Sequence, residues 1–151
     1  MTIFVMWPTF STMYEKSFKP LADGTIGIEE AYKEAESPIR VFMYSQMSED
    51  TSYITMFMSM AKLDKPNTLA DVPTYILVPA YILHELTVAF KIGVILYIPF
   101  IIIDMVVASI LMSMGMMMLP PTTISLPFKV LLFILADGWD LVIGNLVKTF
   151  Y

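Results

Sequence analysis

Two long apolar runs, each holding a charge in its interior, constrain this chain more than any other feature. Ile92 to Leu119 is broken only by Asp104, while Thr122 to Val147 carries Lys129, with Asp137 and Asp140 further along. Each exceeds the roughly 20 residues that cross a bilayer core. An interior charge costs several kcal/mol on the order given by membrane-insertion scales, so a span that keeps one usually has a use for it. Between the runs lies Ser113-Met114-Gly115-Met116-Met117-Met118-Leu119-Pro120-Pro121. The pattern is that of two apolar helices joined by a methionine-rich loop, and the chain reads as membrane-associated.

Composition agrees. Apolar residues make up 57% of the 151 residues, against roughly 45–50% in soluble domains, and mean hydropathy is +0.70. That excess needs burial beyond a small core. There is no cysteine and a single histidine, His84, so disulfides are excluded and a zinc or di-iron centre has too few ligands. A net charge of −5 argues against nucleic acid and against anionic headgroups. No basic segment precedes the apolar opening, as a signal peptide would require. Thr2 to Pro8 instead reads as the tail of a spanning helix begun upstream.

Along the chain, residues 1–13 are an apolar helix remnant too short to span. Residues 14–73 form a polar extramembrane region; within 15–71, ten acidic residues face six basic ones. Ile28, Ala31, Tyr32 and Ala35 have helical spacing behind Gly27 as N-cap, with Glu30 at N3. Ser37-Pro38 predicts the start of a separate helix, with Ile39, Phe42, Met43 and Gln46 or Met47 on its inner face. A third helix fits Glu49 to Lys62, with Tyr53, Met56, Phe57 and Met60 on one side, ended by the turn Asp64-Lys65-Pro66-Asn67. Residues 74–151 follow: a kinked piece bracketed by Pro73 and Pro79, an amphipathic helix from Ala80 to Phe90, then the hairpin. Pro99 should kink its first arm and Pro127 disturb the start of its second. Acidity in 15–71 favours the non-cytoplasmic side.

Each candidate feature has two readings. The methionines either fill apolar helix ends or form a loop that deforms and reseals, as unbranched, polarizable side chains can. Asp104 and Lys129 either pair to hold helices together, within one chain or between copies, or relay ions or protons. Asp137-Gly138-Trp139-Asp140 marks either a boundary where the helix leaves apolar surroundings or a helix contact in which glycine permits close approach. His84 has no second metal-binding partner. No nucleophile with a base, phosphate loop or nucleotide fingerprint is present, so nothing supports catalysis or a cofactor.

The order of several motifs goes further. Glu85-Leu86, Ala89-Phe90-Lys91-Ile92-Gly93, Ile98-Pro99-Phe100 and Ile103-Asp104 form one block; Met114 to Pro121 and Ser125-Leu126-Pro127-Phe128-Lys129 form a second. Leu132-Phe133, Asp137-Gly138-Trp139 and Leu146-Val147 close the series. Together they resemble the C-terminal part of the FliP family of flagellar type III export-gate proteins, with a looser likeness through 1–74 at Pro38-Ile39-Arg40 and Phe42-Met43. The resemblance implies an all-α subunit whose copies build a helically rising ring at the bacterial inner membrane, in the flagellar basal body. It implies FliQ, FliR, FlhB and FlhA as partners and unfolded flagellar proteins as cargo, without enzymatic activity. It also implies that the loop of Met114, Gly115, Met116, Met117, Met118, Pro120 and Pro121 gates the pore; beside it, the residues themselves are read as an intersubunit ion pair between Asp104 and Lys129 and as packing contacts at Pro99, Phe100, Phe128, Asp137, Gly138 and Trp139. The family's gate sits largely above the bilayer plane, so apolar runs can bury against neighbours. Family members begin with a signal sequence and more apolar residues, so this chain resembles an N-terminally truncated form. His84 stands where the family has a small hydroxyl residue. The alternatives are the homologous injectisome subunit, from which Met118-Leu119-Pro120-Pro121 departs, and a small ion-coupled transporter using Asp104 and Lys129.

Overall fold

Proline lacks the N–H of an interior helical hydrogen bond, yet four of the helices here run through one. The computed structural model describes residues 1–48, 50–116 and 118–150, with Leu69 by its backbone alone. All regular structure among these is helical. α1 spans Thr2–Met13 and contains Pro8. It continues through a π-helical turn, Tyr14–Phe18, into the short α2, Lys19–Ala22. α3 is Ile28–Gln46, α4 Ser52–Met60, and a 3₁₀ turn covers Leu69–Asp71. α5 is Thr74–Ser113, α6 Pro121–Leu135 and α7 Gly138–Lys148. The chain divides into two units, Met1–Thr87 and Val88–Tyr151.

In the first unit, α3 begins at Gly27, extended as an N-cap should be, with Glu29 and Glu30 in its first turn where the helix dipole favours acids. Ala31 is buried, but Ile28 is 81% exposed and Tyr32 also faces outward, so half of the expected stripe is uncovered. The buried hydroxyl of Ser17, in the π-helical turn, donates to the Ala31 carbonyl at 2.6 Å and ties α3 to the preceding segment. The helix start expected at Ser37-Pro38 is absent: α3 runs straight through. An interior proline costs about 3 kcal/mol. Here packing of Ile39, Met43 and Met47 beyond it, and the anchored Ala31 before it, hold both halves in line.

The core joins α3, α4, the 3₁₀ region and the start of α5 through Met43, Met47, Ile54, Met58, Val72, Ile76, Leu77 and Ala80. α4 forms inside the expected segment, whose first residue, Glu49, lies outside the described residues. Its buried face is centred on Ile54 and Met58, flanked by Tyr53 and Phe57, while Met56 and Met60 are exposed. The apolar stripe is thus rotated from the expected one. The helix ends at Met60, before the Asp64–Asn67 turn, because Lys62 turns left-handed (φ 56°) and the Leu63 amide reaches back to the Met58 carbonyl at 2.9 Å. Beyond it, Arg40 donates to the Val72 carbonyl at 2.6 Å and to the Thr74 hydroxyl, and Thr74 donates to Glu36. This fastens α3 to the first turn of α5.

α5 replaces three expected pieces with one 40-residue helix through Pro79 and Pro99. Its first turns have an inner face of Ile76, Leu77, Ala80 and Tyr81, and farther along Tyr53 bonds Thr87 at 2.7 Å and meets His84 edge-on. Beyond them, apolar residues occupy every face, so no polar boundary marks where a helix would stop. The second apolar run is not one helix: α6 and α7 meet at a 59° bend. Asp137 makes the break in the left-handed conformation (φ 50°, ψ 47°).

Two outcomes follow for the first unit. Leu77→Ala, at a fully buried position, should lower unfolding stability by about 2–5 kcal/mol in a denaturant titration, whereas Val78→Ala on the exposed side should cost about 0.5 kcal/mol or less. Asp71 accepts the Thr68 and Asn67 amides and the Thr68 hydroxyl, and these bonds hold its carboxyl below the ordinary value of 3.8. Because the folded value is the lower one, its stabilising contribution is complete above the unfolded value and fades as pH falls through the folded one. Asp71→Asn should therefore be less stable than the parent at neutral pH, with the gap closing on acidification when thermal midpoints are compared.

Candidate functional site

The second unit is organised around a charged contact between α5 and α6. Asp104, on α5, meets Lys129, on α6, at 2.7 Å between Oδ2 and Nζ. Their side chains are 26% and 20% exposed, so both are largely withdrawn from solvent. The Ser125 hydroxyl, fully buried, lies 2.5 Å from Asp104 Oδ1 and 3.1 Å from the Thr122 carbonyl. Ser125 and Lys129 are four apart on α6, hence on one face, and the carboxylate bridges both. Each charge thus finds a partner inside a single chain. Burying such groups is tolerable because every partner is in place.

Beyond the pair, toward the loop, α5 and α6 border an apolar groove of about 470 Å³, lined by residues that include Val107, Ile110, Leu111, Met114, Ile124 and Phe128. The loop itself has defined ends. Gly115 adopts φ +73°, its amide donates to the Met112 carbonyl at 3.0 Å, and the Met116 amide reaches the Leu111 carbonyl at 3.0 Å. These bonds close α5 in a Schellman-type cap. An added Cβ at Gly115 would meet nothing, so the backbone conformation, not space, asks for glycine. Pro120 is extended, and Pro121 opens α6 at a position where no N–H is needed. Between these ends Met114 is 57% exposed, Met116 41% and Met118 99%. Met117 lies outside the described residues.

At the α6–α7 bend, Trp139 packs edge-on against Phe133, ring centroids 5.3 Å apart. A Cβ on the buried Gly138 would fall 2.5 Å from the Phe133 ring, so only glycine admits this approach. The outer face of Trp139 remains exposed, as does Asp137. Pro99 is exposed on α5 and its neighbour Phe100 half-buried; neither joins the charged contact or the bend. Sequence reasoning missed Ser125 as a member of the site, although its i, i+4 relation to Lys129 was a usable signal. It also missed Phe133 as the partner of Gly138, which no spacing rule reveals.

Comparison with known proteins turns on one observation: the family model for FliP matches residues 1–146. The chain belongs to the FliP family. Among its relatives, the flagellar biosynthetic protein FliP of Treponema pallidum is 66% identical over 150 residues, 99% of this chain and 55% of that protein. The FliP proteins of Treponema denticola and Bacillus subtilis are 62% and 51% identical over 150 residues, which cover 55% and 67% of their lengths. The chain thus spans about half the length of the treponemal FliP proteins that it matches.

The α5–α6 contact is separable from general packing by a charge cycle. Asp104→Asn and Lys129→Met should each lower the thermal midpoint of the detergent-solubilised chain more than the double replacement does, since a single change strands a largely buried charge. Exchanging the two residues should recover part of the loss. Equal, additive effects would show that the contact contributes nothing specific.

Proposed function

We propose that this FliP-family chain serves as a structural subunit of the flagellar type III protein export gate. Several copies, with FliQ-, FliR- and FlhB-type partners and FlhA nearby, enclose a path for unfolded flagellar proteins. The carrying observation is α5, which after Thr87 carries apolar residues on every face, interrupted by charge only at Lys91 and Asp104, and is largely exposed: only 6% of its most apolar stretch is buried by the chain's own fold. Such a helix needs lipid or protein around it, and a multi-subunit membrane assembly provides both. In this reading the loop from Met114 to Pro121 borders the path and limits leakage, with its methionines repacking around different shapes. Residues 14–73 lie on the periplasmic side, and the location is the inner membrane at the flagellar basal body. The role is structural, not catalytic.

The relatives named above are flagellar, which favours this reading over an injectisome subunit. The transporter alternative loses support because Asp104 and Lys129 satisfy each other and Ser125, as a structural pair does.

Native mass measurement in mild detergent tests the proposal. Co-expression with FliQ- and FliR-type partners should give one large species containing several copies of this chain. A monomer with and without the partners would overturn the gate-subunit reading for this chain.

A further inference from the structure

We propose that Met118, on the α5–α6 loop, is an oxidation site, at which a hydroperoxide turns the loop from apolar to polar. Its consequence for leakage rests on the reading of this loop as a seal; the chemistry of the site does not.

The chain has fourteen methionines and no cysteine, so no thiolate competes for a mild oxidant and thioethers are its softest nucleophiles. Oxidation follows exposure, and exposure sorts the methionines. Met43, Met47 and Met58 are closed into the core of the first unit, while Met118 is 99% exposed. The loop cannot readily withdraw its side chains into helical packing. Gly115 stops α5 from one side, and two prolines fix the chain from the other. Met105 and Met112 are also exposed, though less than Met118, and lie within the apolar helix α5 rather than on the loop. Met60, exposed at the end of α4, is an internal control far from the loop in sequence.

The step is balanced. The sulfur lone pair attacks one peroxide oxygen, an S–O bond forms as the O–O bond breaks, and the departing hydroxide takes up the remaining proton. Sulfide is oxidised to sulfoxide and the hydroperoxide is reduced to water or an alcohol. Sulfoxide reductases reverse the change, one enzyme for each epimer. A sulfoxide carries a strong acceptor oxygen, so it recruits water where a thioether excludes it.

The test treats the chain in mild detergent with hydrogen peroxide and maps the added oxygen by peptide mass spectrometry. Met118 should be modified several-fold faster than Met43, Met47 or Met58, and faster than Met60, which is 71% exposed; a rate no higher than that of Met60 would overturn the site. The assembled gate in lipid vesicles then reports ion leakage before and after peroxide. Leakage should rise in the parent, fall again after treatment with both sulfoxide reductases, and stay unchanged when Met114, Met116, Met117 and Met118 are all replaced by Leu. Modified loop methionines with unchanged leakage would overturn the effect on the seal and leave the oxidation site standing. A gate that fails to assemble would count against the export-gate reading, while the peptide map alone would still decide the site.

Discussion

The contact that the second unit depends on is a carboxylate shared between an ammonium and a hydroxyl. α5 and α6 are apolar almost throughout, and apolar faces slide past one another with little preference for register. Asp104 removes that freedom, because its two oxygens must meet Ser125 and Lys129 at once and those groups are fixed one turn apart on α6. The register so set places Met114 and Phe128 beside the same groove. A hydrophobic pair of equal volume would impose no such two-point match.

Much of this was legible in the sequence, for identifiable reasons. Helicity followed from periodicity around Ala31 and Met43, and from sheer apolar length after Ile92. The loop boundaries followed from Gly115 and the two prolines, whose backbone preferences are local and strong. The pairing of Asp104 with Lys129 was foreseeable because Asp104 is the one charge inside the first run and Lys129 the one basic residue inside the second. Two of the errors share one origin, which is the weight given to proline. Pro38 and Pro79 read as boundaries, since local energetics disfavour both, but tertiary contacts at Met43, Met47, Ile76 and Leu77 outweigh the missing hydrogen bonds.

The bend at Asp137 is the converse case. Thr122 to Val147 looked continuous because apolar character persists across it. The break is made by an aspartate in a left-handed conformation, which costs an L-residue about 1–2 kcal/mol, and by the Gly138–Phe133 approach, which depends on partners that spacing does not show. In the first unit, Arg40 links α3 to Val72 and Thr74. A single basic side chain gives no sequence signal of the carbonyl it will find.

The length of α5 has a geometric consequence. At 1.5 Å per residue its 40 residues form a rod of about 60 Å, twice the roughly 30 Å of bilayer hydrocarbon. To fit wholly inside such a slab the rod would have to lean by about 60°, well past the usual limit of about 40°. At that limit the slab accommodates roughly 26 residues, leaving about a third of the helix outside it. The turns best suited to project are the first, Thr74 to Thr87, because Ile76, Leu77 and Ala80 are already spent on the core of the first unit.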